Sequence, residues 1–257
     1  MNLSFEVLMA IVWAKCVSGV NYEVRSAGNS LRLYTDGVFH SQYNPGKLLT
    51  GHVWDLLLLP AFFYQKKKIK RVLVMGVAGG AVLHMVRHFF SPDEIVGVEL
   101  NPTHVSIGKR FFGLKKSPIN LVEADAINWL KNYQGEKFDM IIDDLFTEKD
   151  GEPVSVVPAN HKWFAVMLKH LADDGVIVRN FVDRQELLES AGLAHAVTSK
   201  KFSSVFQFNS CFNENFVAAY LRKPATSQQL RNHLLNTPGL NPGLKTSRLR
   251  YRVRKLA

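Results

Sequence analysis

Apolar residues in this chain fall into short runs closed by glycine or acidic residues, and between the runs they recur at every third or fourth position. Val72–Met75, Ile95–Glu99, Ile119–Val122, Phe138–Asp143 and Gly175–Arg179 read as buried strands. Ala81–Phe90, Thr103–Phe112, Ala126–Asn132 and Asn160–Leu171 read as the helices between them. A helix over Arg184–Thr198 follows, then two apolar strands near Ser203–Phe208 and Asn215–Leu221. Repeated strand–helix units of this kind predict an α/β fold. Its parallel sheet carries helices on both faces and an antiparallel strand at the end.

The flanks read differently. Residues 1–43 are short strands with turn signals, and Asp36-Gly37 between Leu31–Tyr34 and Val38–His40 is a hairpin turn. Gly46–Tyr64 is largely apolar and reads as a helix. Beyond Pro224, turn-forming Thr237-Pro238-Gly239 and Asn241-Pro242-Gly243 precede Arg248–Arg254, whose period-2 alternation fits an edge strand with one face of arginine. The chain therefore divides into an N-terminal β-hairpin region (1–45), an α/β domain (46–224) and a C-terminal tail (225–257).

Candidate chemistry gathers at the strand ends, where open α/β sheets bind ligands. The first core strand runs into Gly76-Val77-Ala78-Gly79-Gly80-Ala81, a tight loop opening a helix, where backbone can approach a nucleotide closely. Ala78 stands where G-x-G-x-x-G has its second glycine, which argues against NAD and for a cofactor of the S-adenosylmethionine type. Glu99 ends the second strand, about 20 residues after the first glycine, where an acid accepts hydrogen bonds from ribose hydroxyls. Asp125 either caps the following helix or accepts from an adenine amino group. Of Asp143 and Asp144, one must face away from the pocket if the strand runs straight through both. Asn180 follows the fifth strand and is either a substrate contact or a turn residue. His52 and Trp54 either line an acceptor pocket or belong to the core. His84 and His88 share a helix face but lack acidic or cysteine partners at ligand spacing, so no metal site is expected.

Composition adds three constraints. The chain has two cysteines, Cys16 and Cys211, and no C-x-x-C, so a reducing, cytoplasmic setting is expected. Met1–Val20 is apolar, but it starts without basic residues and carries Glu6 and Lys15, unlike a signal peptide; no run reaches membrane-span length. The net charge of +10 is uneven. Nine of the 32 Lys and Arg and none of the 22 Asp and Glu lie from Arg222 onward, leaving 23 basic against 22 acidic residues before it. The tail offers polyanion binding or a charged edge that resists strand-to-strand association.

Leu31-Arg32-Leu33-Tyr34-Thr35-Asp36-Gly37 with Gln42, the glycine loop, Val96–Pro102, Glu123–Ala126 and Phe138–Asp144 follow one another in the order seen in spermidine synthases, the polyamine aminopropyltransferases. The first segment resembles that family's "LRLYLDG…Q" hairpin, and the resemblance covers roughly residues 25–222. It implies a small N-terminal β-region before a Rossmann-like class I methyltransferase fold with a mostly parallel seven-stranded sheet. It puts Gln42, Gly76, Gly79, Glu99, Asp125, Ala126 and Asp144 at cofactor-binding positions. Three departures limit what carries over. The aspartate of the family's G-G-G-D-G-G, which holds the aminopropyl amine, is Gly79 here. The second carboxylate of its D-S-x-D, the expected general base, is Thr147, and Tyr-His-Glu falls near His52-Val53-Trp54. Asp144 and Thr147 thus stand at the catalytic positions, and His52, Trp54 and Asn180 at the acceptor side. Carboxylates are what a cationic polyamine requires.

The expected function is an S-adenosylmethionine-dependent transferase, most simply a methyltransferase on a non-polyamine acceptor, small molecule or protein. The alternatives are an aminopropyltransferase using decarboxylated S-adenosylmethionine with Glu148 or Asp150 moved in, and a catalytically idle homologue that binds a nucleoside or a partner. A homodimer is also compatible with the sequence.

Overall fold

A computed structural model describes residues 9–116, 118–149, 152–211 and 213–257. The chain opens with an antiparallel meander of β1 (Ala10–Val17), β2 (Val20–Ala27), β3 (Ser30–Thr35) and β4 (Val38–Tyr43). Asp36 and Gly37, at φ 45° and 83°, make the hairpin turn between β3 and β4, both in the left-handed region that a tight antiparallel connection needs.

α1 (Val53–Leu58) comes next and continues as a 3₁₀ turn over Leu59–Phe63. The helix expected over Gly46–Tyr64 is therefore much shorter. Asp55 explains its start: its carboxylate accepts from the Thr50 and Gly51 backbone N–H groups at 2.8 Å each and from Thr50 Oγ1 at 2.7 Å, which holds the preceding residues in a turn. Pro60 explains its end, because a proline inside an α-helix has no N–H to give and crowds the preceding turn.

The main body alternates strand and helix: β5 (Arg71–Met75), α2 (Ala81–Phe90), β6 (Glu94–Glu99), α3 (Pro102–Phe111), β7 (Asn120–Glu123), α4 (Ala126–Asn132) and β8 (Phe138–Asp143). A two-stranded arm, β9 (Phe146–Lys149) with β10 (Glu152–Ser155), leads to α5 (His161–His170) and β11 (Leu171–Phe181). Then come α6 (Arg184–Glu189), α7 (Ala191–Ala194), β12 (Ser204–Ser210), β13 (Asn213–Leu221), α8 (Ser227–Leu235) and β14 (Arg252–Lys255). The single helix expected over Arg184–Thr198 is broken at Ser190. There the backbone is extended, and the buried hydroxyl meets Tyr220 Oη at 2.7 Å, so a tertiary contact overrides local helix periodicity.

The sheet order is β14-β12-β13-β11-β8-β5-β6-β7. β11, β8, β5, β6 and β7 run parallel, and β13, β12 and β14 are each antiparallel to their inner neighbour. It has eight strands rather than seven because the Arg-rich segment adds β14. One face of the sheet is covered by α1, α2 and α8, and the other by α4, α5 and α6. Leu230, Leu234, Leu240 and Leu249 are buried in the first of these cores, so residues beyond 224 pack into the body. A third cluster of Tyr22, Val24, Leu33, Ile107 and Phe112 clamps the N-terminal meander onto α3. No described helix is long and apolar enough to cross a membrane.

Candidate functional site

Three backbone hydrogen bonds extend the ladder past the strand ends and draw the tips together. Gly76 N donates to Val98 O, Asp144 N to Met75 O and Ala124 N to Glu99 O, each at 3.0 Å. The approach at Gly76 is so close that a Cβ there would overlap the Asp144 carbonyl oxygen, and its φ of 81° lies in the left-handed region. A glycine is required at that position by both criteria. Ala78 is also left-handed, at φ 47°, which costs a residue with a side chain about 1–2 kcal/mol.

Glu99 offsets that strain. Its Oε2 accepts from Val77 N at 2.9 Å and Ala78 N at 2.8 Å, and its Oε1 from Asn101 N at 2.9 Å, with His104 Nδ1 at 3.7 Å. The residue is 8% exposed. Burial alone would push its carboxyl up, but His104 and the Ala78 and Asn101 N–H groups outweigh it and hold it at about 2. His104 also pairs through Nε2 with Thr35 Oγ1 at 2.8 Å, and its ring lies 5.1 Å from His40. Burial, then the neighbouring His104, pushes His40 down to about 4, against the pull of Glu99. The acid thus joins the glycine loop, β6, α3 and the N-terminal meander at one point.

The tips of β8 and β11 carry a polar pair on each face. Toward the glycine loop, Asn180 Nδ2 donates to Asp144 Oδ1 at 2.8 Å. Burial pushes the Asp144 carboxyl up to about 7, helped by the charges of Asp143 and Glu99 and opposed by the Asn180 hydrogen bond. Asn180 is 5% exposed, and its Oδ1 is buried with no hydrogen-bond partner among the described residues. On the other face Arg179 Nη1 pairs with Asp143 Oδ2 at 2.6 Å, and Trp163 Nε1 donates to the same oxygen at 2.8 Å. Arg179 Nη2 donates to Ser155 Oγ at 2.8 Å and to the Val157 carbonyl, fastening the β9–β10 arm to the sheet.

Of the other sequence-predicted residues, Asp125, Gln42, His52 and Trp54 have their side chains engaged. Asp125 caps α4, accepting from Ile127 N at 2.9 Å and Asn128 Nδ2 at 2.8 Å, and Ala126 begins that helix, buried. The Gln42 amide accepts from Arg32 Nε at 3.0 Å and donates to Thr50 O at 3.4 Å. His52 and Trp54 pack on Phe39, with ring centroids 5.0 and 5.2 Å away, in an aromatic cluster between β4 and α1. Thr147 is exposed on β9, opposite Val154. The Glu148 side chain and Asp150 lie outside the described residues. Gly79 packs under β4: a Cβ there would meet the Ser41 side chain and Phe112 Cδ1 at 2.8 Å. His84 hydrogen-bonds the Phe112 carbonyl at 2.7 Å through Nε2. Among the described residues no group of three or more His, Cys, Asp or Glu is arranged to hold a metal.

Sequence reasoning did not reach Arg179, His104 or Ser41. Arg179 had a signal, a lone basic residue inside an apolar run beside an Asp-Asp tip; the other two are visible only as contacts between distant segments.

Residues 56–213 match the spermine/spermidine synthase domain. The sequence is 34% identical to polyamine aminopropyltransferase 2 of Caldanaerobacter subterraneus subsp. tengcongensis over 107 residues, 40% of this chain and 35% of that protein. It is 27% identical to the eEF1A lysine and N-terminal methyltransferase of Mus musculus over 130 residues, 48% of this chain and 19% of that protein. The matches therefore span about a third or less of these relatives. In fold it is similar to a probable spermidine synthase from Corynebacterium glutamicum, with a TM-score of 0.69 at 16% identity over 89% of this chain and 88% of that one. It is also similar to human methyltransferase-like protein 13 in complex with SAH, with a TM-score of 0.57 at 17% identity over 70% of this chain and 87% of that one. With its Rossmann-like class I methyltransferase sheet, N-terminal meander and more than half its length in the match, the chain belongs to the spermine/spermidine synthase domain family.

Proposed function

We propose that the protein is an S-adenosylmethionine-dependent methyltransferase acting on a nitrogen acceptor other than a polyamine. Position 79 carries this reading. The aspartate expected there in an aminopropyltransferase is a glycine, and Ser41 and Phe112 occupy the space its side chain would need. The second expected carboxylate is the exposed Thr147. The residues present suit a cationic nucleoside cofactor. Glu99 is ionised at the loop, Asp144 adds an acid at the tip of β8, and Asn180 Oδ1 is a buried acceptor awaiting a donor. Bound there, S-adenosylmethionine would supply a methyl group on a sulfonium that is already a good leaving group. In-line placement then matters more than a strong base. Asn180 Oδ1 and Asp144 are two acceptors side by side, fit to orient an N–H-bearing nucleophile, and Asp144 takes the proton that the nitrogen loses.

Titration by calorimetry with S-adenosylmethionine and with its decarboxylated form tests the reading, and tighter binding of the carboxylated form is expected. Preference for the decarboxylated form would instead establish the aminopropyltransferase reading, which the 34% identity to polyamine aminopropyltransferase 2 favours. No measurable binding of either would mark an idle homologue. Glu99→Ala is expected to weaken cofactor binding by about 1.5–3 kcal/mol for each hydrogen bond to the charge that is lost. It should also lower the melting temperature of the free protein, because the Val77 and Ala78 N–H groups lose their acceptor. Unchanged affinity would remove Glu99 from the ribose contact.

Asp144 gives a pH signature. The folded protein keeps its proton up to about pH 7, whereas the unfolded chain releases it near pH 4. Between those limits the folded state binds more protons, so Asp144 makes stability fall as pH rises through the window and level off above it. Urea unfolding across that range should show the stability of the parent relative to Asp144→Asn falling as pH rises and levelling off above about 7, a difference from which the opposing contribution of His40 and the other histidines cancels. Identical slopes would place the Asp144 carboxyl near its ordinary value.

A further inference from the structure

From Lys245 to Lys255, six of eleven residues are basic and none is acidic. Leu249 is buried, and Tyr251 and Val253 pack against the same core, so the alternating Arg248, Arg250, Arg252 and Arg254 are exposed. β14 is the outermost strand of the sheet and is paired only to β12. Its register sets Arg254 opposite Gln207 and Arg252 opposite Asn209, so neutral amides rather than carboxylates lie beside the two guanidinium groups. Arg184 Nε donates to Gln207 Oε1 at 3.1 Å and brings a third guanidinium to that spot. Among the described residues, none of the six basic side chains of this segment forms an ion pair.

From this geometry we propose that the β14 edge binds the phosphodiester backbone of a single-stranded nucleic acid. Alternate residues of a strand stand about 6.6–6.8 Å apart, and the ladder to β12 fixes that interval between Arg252 and Arg254. A fixed row of guanidinium forks suits repeated phosphates, each of which takes two parallel N–H bonds from an arginine. The chain before Arg222 is nearly balanced, so the net excess of positive charge lies in the C-terminal part that ends in this edge. The proposal is independent of any cofactor.

The test is fluorescence anisotropy of labelled oligouridylate with the full chain over a range of salt concentrations. Contact with three to five phosphates gives a log–log slope of about −2 to −4. Arg248→Gln, Arg252→Gln and Arg254→Gln combined should lower affinity about tenfold or more at low salt and flatten the slope. The side chains are exposed, so the melting temperature should hold; should it drop, Arg252→Gln and Arg254→Gln alone make the same comparison. A control with Lys66, Lys67 and Lys68, another exposed basic cluster, changed to Gln should keep most of the affinity. The proposal fails if the parent shows no salt-sensitive binding, or if the control loses as much as the arginine variant. It also fails if polyglutamate or phosphatidylserine vesicles displace the oligonucleotide at equal charge concentration, because the edge would then be reading charge without phosphodiester geometry.

Discussion

Replacing Arg179 by Met is expected to destabilise the protein by about 3–5 kcal/mol, the range for removing one partner of a buried ion pair. Arg179 is 1% exposed and Asp143 2%. Without the guanidinium, Asp143 keeps only the Trp163 indole N–H among the described residues, Ser155 Oγ loses the donor it had in Arg179, and the Val157 carbonyl is left with Ser155 Oγ alone. A charge left in that position costs far more than the pair contributed. The double variant Arg179→Met with Asp143→Leu should recover much of the loss, because an apolar pair of similar volume needs no partner. Urea unfolding of the two variants and the parent measures this. A single variant as stable as the parent would show that water reaches Asp143 when the guanidinium goes.

The second large effect is expected at Gly76. Gly76→Ala combines a left-handed backbone, costing about 1–2 kcal/mol, with overlap on the Asp144 carbonyl oxygen, a backbone atom that can yield only if the tip of β8 moves. Gly239 is the natural control. It has the same φ of 81°, and a Cβ there meets nothing within 4 Å. Gly239→Ala therefore reports the conformational cost alone, and the difference in melting temperature between the variants isolates the contact. A larger drop for Gly76→Ala is expected, together with loss of any ligand that bridges the tips of β5 and β8. Equal drops would mean that the β8 tip is free to move aside.

The strands of the body were legible because burial on both faces makes them continuous apolar runs. Phe138–Asp143 was read to the residue, and β5 and β6 within one residue at either end. The parity argument at Asp143-Asp144 also held, with Asp143 facing Trp163 and Asp144 facing Asn180. The helices at 46–64 and 184–198 were overread. Leu56–Leu59 and Leu187 are buried as periodicity requires, whereas Val197 is exposed, and the breaks come from an Asp55 turn, Pro60 and the Ser190–Tyr220 contact, of which only Pro60 is a local signal. Spacing from the glycine loop puts Glu99 at the tip of the second core strand, and the structure has it at the end of β6. Its bonds to Val77 and Ala78, and its tie through His104 to Thr35, follow from how the meander sits on α3, which no window of sequence contains.

The packing above Gly79 makes the departure from the aminopropyltransferase pattern hard to undo. In the written sequence, restoring the aspartate is one substitution. In the folded protein Ser41 and Phe112 already stand at 2.8 Å from where its first side-chain atom would be. Overfilling a packed site typically costs about 1–3 kcal/mol before any new contact forms. An aspartate therefore needs room made on β4 and beyond the end of α3 first, and each of those changes alone would leave a void. Redesign toward a polyamine acceptor must alter three separated segments together, so single-site libraries at position 79 should return no intermediate worth selecting.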